Sequence, residues 1–418
     1  MKFLILLALK NLTRHKRRTL ITAGAIAVGI LMFIFLDSML KGADIESIRN
    51  LKWYETSSLR IMNTEYWDSR FQLPLDINIP HGQRVLEKLN QKKIQATGRV
   101  VFSGDMIFNK QDFGEEGSMA VTVTAIEVAR DFEVFHYQDT LIAGRFLKPG
   151  EDAVLLGSWL AEDIGAAVGF FITIVARGLG GFYEAMDLKV VGIVNCPNPY
   201  VNRKLVMMPL DTADEYLILD GAVTEIDIKL PDSFTPEEVR TAMSEIEEIV
   251  NDRELSVMTW MDLASDYLAG MEMERGGTAI ILFLIFIIAA VGISNTMLMS
   301  IFERIRELGM MRSMGMSDKN IRITFILEAA GIGLIGSLVG VLLGIISVYF
   351  LIRYGIDYGL FMRDYDMMYR IQAVFRGAWN FETMGLSIIA GTFISTFVAY
   401  FPTSRALRMD IPACLRHQ

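Results

Sequence analysis

Four stretches of the chain are apolar for about 20 residues, enough for a helix to cross roughly 30 Å of hydrocarbon. They place membrane spans at 19–41, 276–302, 325–352 and 383–402. The segment before the first span, 1–18, carries Lys2, Lys10, Arg14, Lys16, Arg17 and Arg18 and no acid. Basic residues collect on the cytoplasmic side of short loops, so both termini are predicted to be cytoplasmic. The link at 303–324, with Arg304, Arg306, Arg312, Lys319 and Arg322, agrees. The first span is longer than a signal-peptide core and no small-residue cleavage site follows it, so it is read as uncleaved.

Between the first two spans the pattern changes. Residues 42–275 are too polar for lipid and too long for a loop, which predicts a separately folded domain on the far side of the membrane. Alternation of apolar and polar positions predicts strands at 58–62, 119–126, 171–175, 188–194 and 225–230. A 3.6-residue period predicts helices at 83–92, 158–164, 236–250 (with Thr235 as N-cap) and 261–273. These elements interleave without a βα rhythm, so the fold class is a four-span α-helical membrane protein with a large α+β domain built on mixed sheet. Its ends read as helices continuous with spans one and two, with Gly276 and Gly277 as a joint. The third connection, 353–382, is placed outside and the tail, 403–418, inside.

Composition narrows the function. The 418 residues are 52% hydrophobic with a net charge of −9, which argues against a nucleic-acid partner. Cys196 and Cys414 fall on opposite sides of the membrane in this topology, so no disulfide or metal framework follows. No phosphate-binding loop, nucleophile elbow or zinc-binding helix motif occurs, so neither catalytic nor metal residues are predicted and any ATP would be handled elsewhere. The spans carry almost no buried charge beyond Asp37 and Glu328, both near span ends, which disfavours a carrier with a charged midplane site.

The most informative stretch surrounds the second link. A charged helix carries Glu303, Arg304, Arg306 and Glu307 at spacings that form pairs of opposite sign; Gly315 ends it and Ser317 caps the next helix. Leu308, Met310, Met311 and Met314 set flexible apolar groups beside these charges. That combination suits either a solvated interfacial hairpin or a docking surface. Gly336, Gly340 and Gly344 share one face of span three and predict close approach of another helix. Glu328, at the cytoplasmic mouth of that span, is read either as an interfacial residue touching water or, the favoured reading, as the acceptor for a basic group of the hairpin.

Three segments resemble the FtsX-like and MacB-like permease family of ABC transporters. They are ALKNLTRHKRRTLIT at 8–22, FERIRELGMMRSMGMS at 302–317 with the following LEAAGIGLIGSLVGVLLG, and YFPTSRALRMDIPACLR at 400–416. Residues 143–174 and the following LKVVGIVNC resemble the family's periplasmic core domain. The resemblance implies a multi-pass protein of the bacterial inner membrane, in a homodimer or heterodimer of permeases that binds two copies of a cytoplasmic ATPase. That ATPase would use ATP and Mg; no cofactor is implied for this chain. Its contact would comprise Glu303, Arg304, Arg306, Glu307, Leu308, Gly309, Met311, Arg312 and Gly315. The N-terminal motif and the third connection look most like the lipoprotein-releasing LolC/LolE branch. That branch implies a lipoprotein cargo and a periplasmic acceptor, with Met32, Phe33, Phe35, Leu36 and Met39 as candidate acyl contacts. The other reading is a module that moves another amphipathic cargo or regulates a periplasmic partner.

Overall fold

The computed structural model describes residues 2–14, 16–110, 115–303, 305–357, 370–371 and 374–407. Cys414, the C-terminal tail beyond 407, Arg304 and, in the third connection, Arg363, Asp364 and Asp366 lie outside the described residues. The chain divides into a helical unit (Met1–Asp44, Met271–Tyr358 and Val374–Gln418) and a sheet unit (Ile45–Gly270 and Gly359–Ala373).

An amphipathic N-terminal helix, Lys2–Arg14, precedes four long helices: Lys16–Leu51, Ser265–Glu303, Asp318–Tyr354 and Phe381–Ala406. Among the described residues, three stretches are long and apolar enough to cross a membrane: Thr19–Thr56, Asp318–Tyr354 and Phe381–Arg405. The remaining predicted span, 276–302, lies inside the second long helix. That helix passes through Gly276 and Gly277 without a break, so the predicted joint is continuous helix here. Glycine there costs only propensity, and continuous hydrogen bonding on both sides carries the helix through.

The third long helix presents its glycines to the first. A β-carbon on Gly336 would sit 2.8 Å from the Ala23 carbonyl oxygen, and one on Gly340 2.8 Å from that of Ala27; at Gly344 the Ile34 side chain lies 3.0 Å away. No side chain fits at the first two positions without moving backbone, which is why small residues recur where helices meet in lipid. An adjoining stripe meets the fourth helix, where Gly333 faces Ser395 and Gly391 faces Ser337.

In the sheet unit ten strands form one mixed sheet: β1 (Leu59–Asn63), β2 (Ala96–Lys110), β3 (Glu115–Ile126), β4 (Leu141–Gly144), β5 (Ala153–Gly157), β6 (Phe171–Arg177), β7 (Tyr183–Val194), β8 (Val206–Pro209), β9 (Glu225–Ile228) and β10 (Leu255–Thr259). The pairings β2–β3, β3–β8, β8–β5, β5–β7, β7–β6 and β6–β2 return to their start, closing a ring of six strands. From the first half of β2 the sheet extends through β9 and β1 to β10. A closed ring leaves no unpaired edge of its own. The core inside and around it includes Phe102, Met106, Ile174, Leu188 and Val206, all essentially inaccessible. Helix Pro236–Val250 begins with the predicted Thr235 cap, which forms a full capping box with Glu238. The predicted helix at 261–273 is two helices, because Thr259 and Asp262 make a second capping box on the short helix Trp260–Leu263 before Ser265 starts the long one.

Charges are built into this sheet. Arg60 on β1 lies opposite Asp227 on β9, and Arg99 on β2 opposite Glu225. Arg60 bonds Asp227 and Glu225, each at 2.8 Å, while Arg99 grips Asp131 with two bonds of 2.8 and 3.0 Å. Three buried carboxylates thus share two guanidiniums. Burial, only partly offset by Arg60 and aggravated by Asp227, pushes the Glu225 carboxyl up to about 7.

Candidate functional site

The hairpin between the second and third long helices is built by its sequence. Helix Ile305–Ser313 ends in a Schellman turn: Met316 N–H donates to the Met311 carbonyl at 3.1 Å and Gly315 N–H to that of Arg312 at 3.0 Å. Gly315 takes φ +89°, a left-handed conformation that costs glycine nothing. The Ser317 side chain then accepts the Asn320 N–H and starts the third long helix. Arg312 folds back across the turn onto Asp318, with Nε 3.0 Å from Oδ1 and a terminal nitrogen 3.3 Å from Oδ2. Only 16% of the Arg312 side chain stays accessible, so it stiffens the hairpin more than it offers charge.

The predicted surface residues therefore divide. Glu303 and Arg306 are exposed, as are Gly315 and the neighbouring Met310 and Met314, whereas Gly309 is buried and Met311 and Arg312 are half-buried. Glu307 reaches Arg14 of the N-terminal helix at 3.3 Å. The side chains of Arg304 and Leu308 lie outside the described residues. What remains open is a compact patch carrying both charges beside two flexible thioethers, a composition suited to a protein partner.

Sequence reasoning did not assign the N-terminal helix its part. It packs on the third long helix through Leu12 against Gly331, and Asn11 donates to the Glu328 carboxylate at 3.4 Å. Glu328 is 1% exposed. It was expected to accept from a basic group of the hairpin, and the amide of Asn11 is a donor that this expectation did not include. Asparagine on the buried face of an otherwise apolar helix was the available signal. Of the candidate acyl contacts, Met32 is exposed, while Phe33, Phe35, Leu36 and Met39 are half-buried, Phe33 against the helical core.

The profile described as the MacB-like periplasmic core domain matches residues 19–246, and that described as the FtsX-like permease C-terminal region matches 279–411. The lipoprotein-releasing system transmembrane protein LolC of Neisseria meningitidis is 27% identical over 62% of this chain and 62% of its own length. The macrolide export ATP-binding/permease protein MacB of Pasteurella multocida is 21% identical over 97% of this chain and 58% of its own. The chain thus spans about three fifths of the length of these curated relatives. Among solved structures, the periplasmic region of MacB from Actinobacillus actinomycetemcomitans covers 53% of this chain and 97% of that one, at 14% identity and a TM-score of 0.35.

Proposed function

Because the chain belongs to the MacB-like periplasmic core family and carries an FtsX-like permease C-terminal region, we propose that it is the permease subunit of an ABC transporter. In this reading a cytoplasmic ATPase, in two copies on a dimer of permeases, docks on the hairpin, and its nucleotide-driven motion passes through the first and second long helices to the sheet unit on the far side of the membrane. The observation that carries the proposal is the stiff, doubly capped hairpin with Glu303, Arg306, Met310 and Met314 exposed on it.

Lipoprotein release is the cargo reading we favour, supported by the higher identity to LolC. Export of another amphipathic cargo, or regulation of a periplasmic partner, is supported by the fuller coverage of this chain by MacB. The coupling assignment is tested by reversing Arg304 and Glu307 together in the reconstituted complex. The variant should still insert and dimerise but hydrolyse ATP without moving cargo; full transport refutes docking at the hairpin. Depletion of the protein decides the cargo: acylated proteins accumulate in the inner membrane if lipoprotein release is right, and their normal distribution favours the second reading.

A further inference from the structure

The sheet unit holds a cavity of about 410 Å³ that the proposed coupling does not use. Strands β1 to β3 form one wall, and the chain at 66–73 and 200–206 forms the other. Its polar groups are unevenly matched. Arg60 and Arg99 line it but are fully engaged by Glu225, Asp227 and Asp131.

Arg70 is different. Its guanidinium lies 4.0 Å from the centre of the Trp67 ring and 4.5 Å from that of Phe71. Its one hydrogen bond goes to the Trp67 carbonyl at 2.8 Å, and it makes no ion pair among the described residues. Two aromatic faces hold the cation in place while most of its donors stay unused. Tyr66, 4% exposed, lines the same cavity, and its buried hydroxyl, beside the Thr224 side chain, closes no hydrogen bond of normal geometry. Lys204, exposed on the other wall, meets the ring and hydroxyl of Tyr200 and faces the Glu55 carboxylate. A buried donor without an acceptor costs free energy that a ligand oxygen would recover. Phe71 is 81% exposed beside it, an apolar surface left without a protein neighbour.

We propose that this cavity binds a small amphiphilic anion, with its carboxylate or phosphate on Arg70, Lys204 and the Tyr66 hydroxyl and its apolar body against Trp67 and Phe71. A planar guanidinium stacked on rings presents a fork of donors that matches two oxygens of such a head. The volume suits a head with a ring or a short alkyl chain and excludes a full diacyl lipid, so a lipid would enter by its head group alone.

The test is calorimetric titration of the full-length chain in phosphatidylcholine nanodiscs with phenyl phosphate, inorganic phosphate and benzyl alcohol. Phenyl phosphate should bind saturably, one per chain, at least tenfold more tightly than the head or the body alone. Arg70→Met should weaken it at least tenfold and Arg70→Lys less, because the charge survives without the fork. Phe71→Ser provides a second variant on an exposed side chain, and should weaken phenyl phosphate but not inorganic phosphate. Replacing phosphatidylcholine by phosphatidylglycerol separates two sources of the same chemistry: competition identifies a lipid head group, and unchanged binding a soluble anion. Equal binding by wild type and both variants, or inorganic phosphate binding as tightly as phenyl phosphate, overturns the proposal.

Discussion

The helical unit and the sheet unit settle their buried polar groups in opposite ways. Along the third and fourth long helices, Ser337 donates to Gly333, Ser395 to Gly391, Thr392 to Ile388, Thr396 to Thr392 and Thr403 to Ala399, each to a carbonyl four residues back in its own helix. Such bonds satisfy a hydroxyl in a dry environment without tying one helix to another. Directional bonds between helices gather at the ends: Asn380 to Asp37 and Ser38 to the Ala378 carbonyl at one end, Asn11 to Glu328 and Arg14 to Glu307 at the other. In the sheet unit the reverse holds. Arg60, Arg99, Glu225, Asp227 and Asp131 bind across strands and across long stretches of sequence. Helices in contact through glycine and methyl surfaces repack at small cost, whereas strands joined by buried charge move only as a block.

The largest expected effect lies in the sheet unit. Arg99→Met leaves Asp131 buried without its partner, and unfolding of the solubilised chain by denaturant should show a loss of about 3–5 kcal/mol. Adding Asp131→Asn should restore more than half. A loss below about 1 kcal/mol would mean the charges are no tie at all.

Next comes Gly340→Leu in the helical unit. Its β-carbon alone would sit 2.8 Å from the Ala27 carbonyl oxygen, so the helices must part, at about 1–3 kcal/mol. The thermal midpoint in the same detergent checks this, and an unchanged midpoint would show that the contact is not tight. The smallest effect separates the units by pH. The Glu225 carboxyl titrates near 4.5 when unfolded and is raised to about 7 in the folded chain. The folded state therefore holds the extra proton, and its stability is fullest below pH 4.5 and falls as pH rises to 7. The slope in that window should be about 1 kcal/mol per pH unit at most. Glu225→Gln should flatten it, and a slope that persists in this variant assigns the titration elsewhere.

Much of this architecture was legible in the sequence, and the losses have physical causes. The apolar runs located the long helices, and alternation located β1, β3, β6, β7 and β9, each with one polar face. Strands β5 (AVLLG) and β8 (VMMP) have no polar face: every residue in them is buried, so they present a short apolar run without period. Strand β2 was hidden for the opposite reason. Gly98, Arg99, Gly104 and Asp105 break its pattern, yet Arg99 is paired inside the sheet and Gly104 admits Ile174 of β6, whose nearest atom would lie 2.9 Å from a β-carbon. At the hairpin, Gly315 and Ser317 announced the turn because their roles are local. The Asn11 and Arg14 contacts join residues about 300 positions apart, which no local pattern encodes.

The register of β1 and β10 also decides how the sheet unit carries load. Within Ile45–Gly270 the chain enters the sheet at β1 and leaves it at β10, and these strands are antiparallel neighbours with Leu59 opposite Thr259. Entry and exit therefore lie side by side at one end of a single ladder. A pull shared by both is borne by the sheet as a whole. A pull that separates them opens that ladder like a zipper, rung by rung from Leu59 and Thr259, rather than shearing all its bonds together. That ladder is stiff to common traction and weak to traction that parts its two ends.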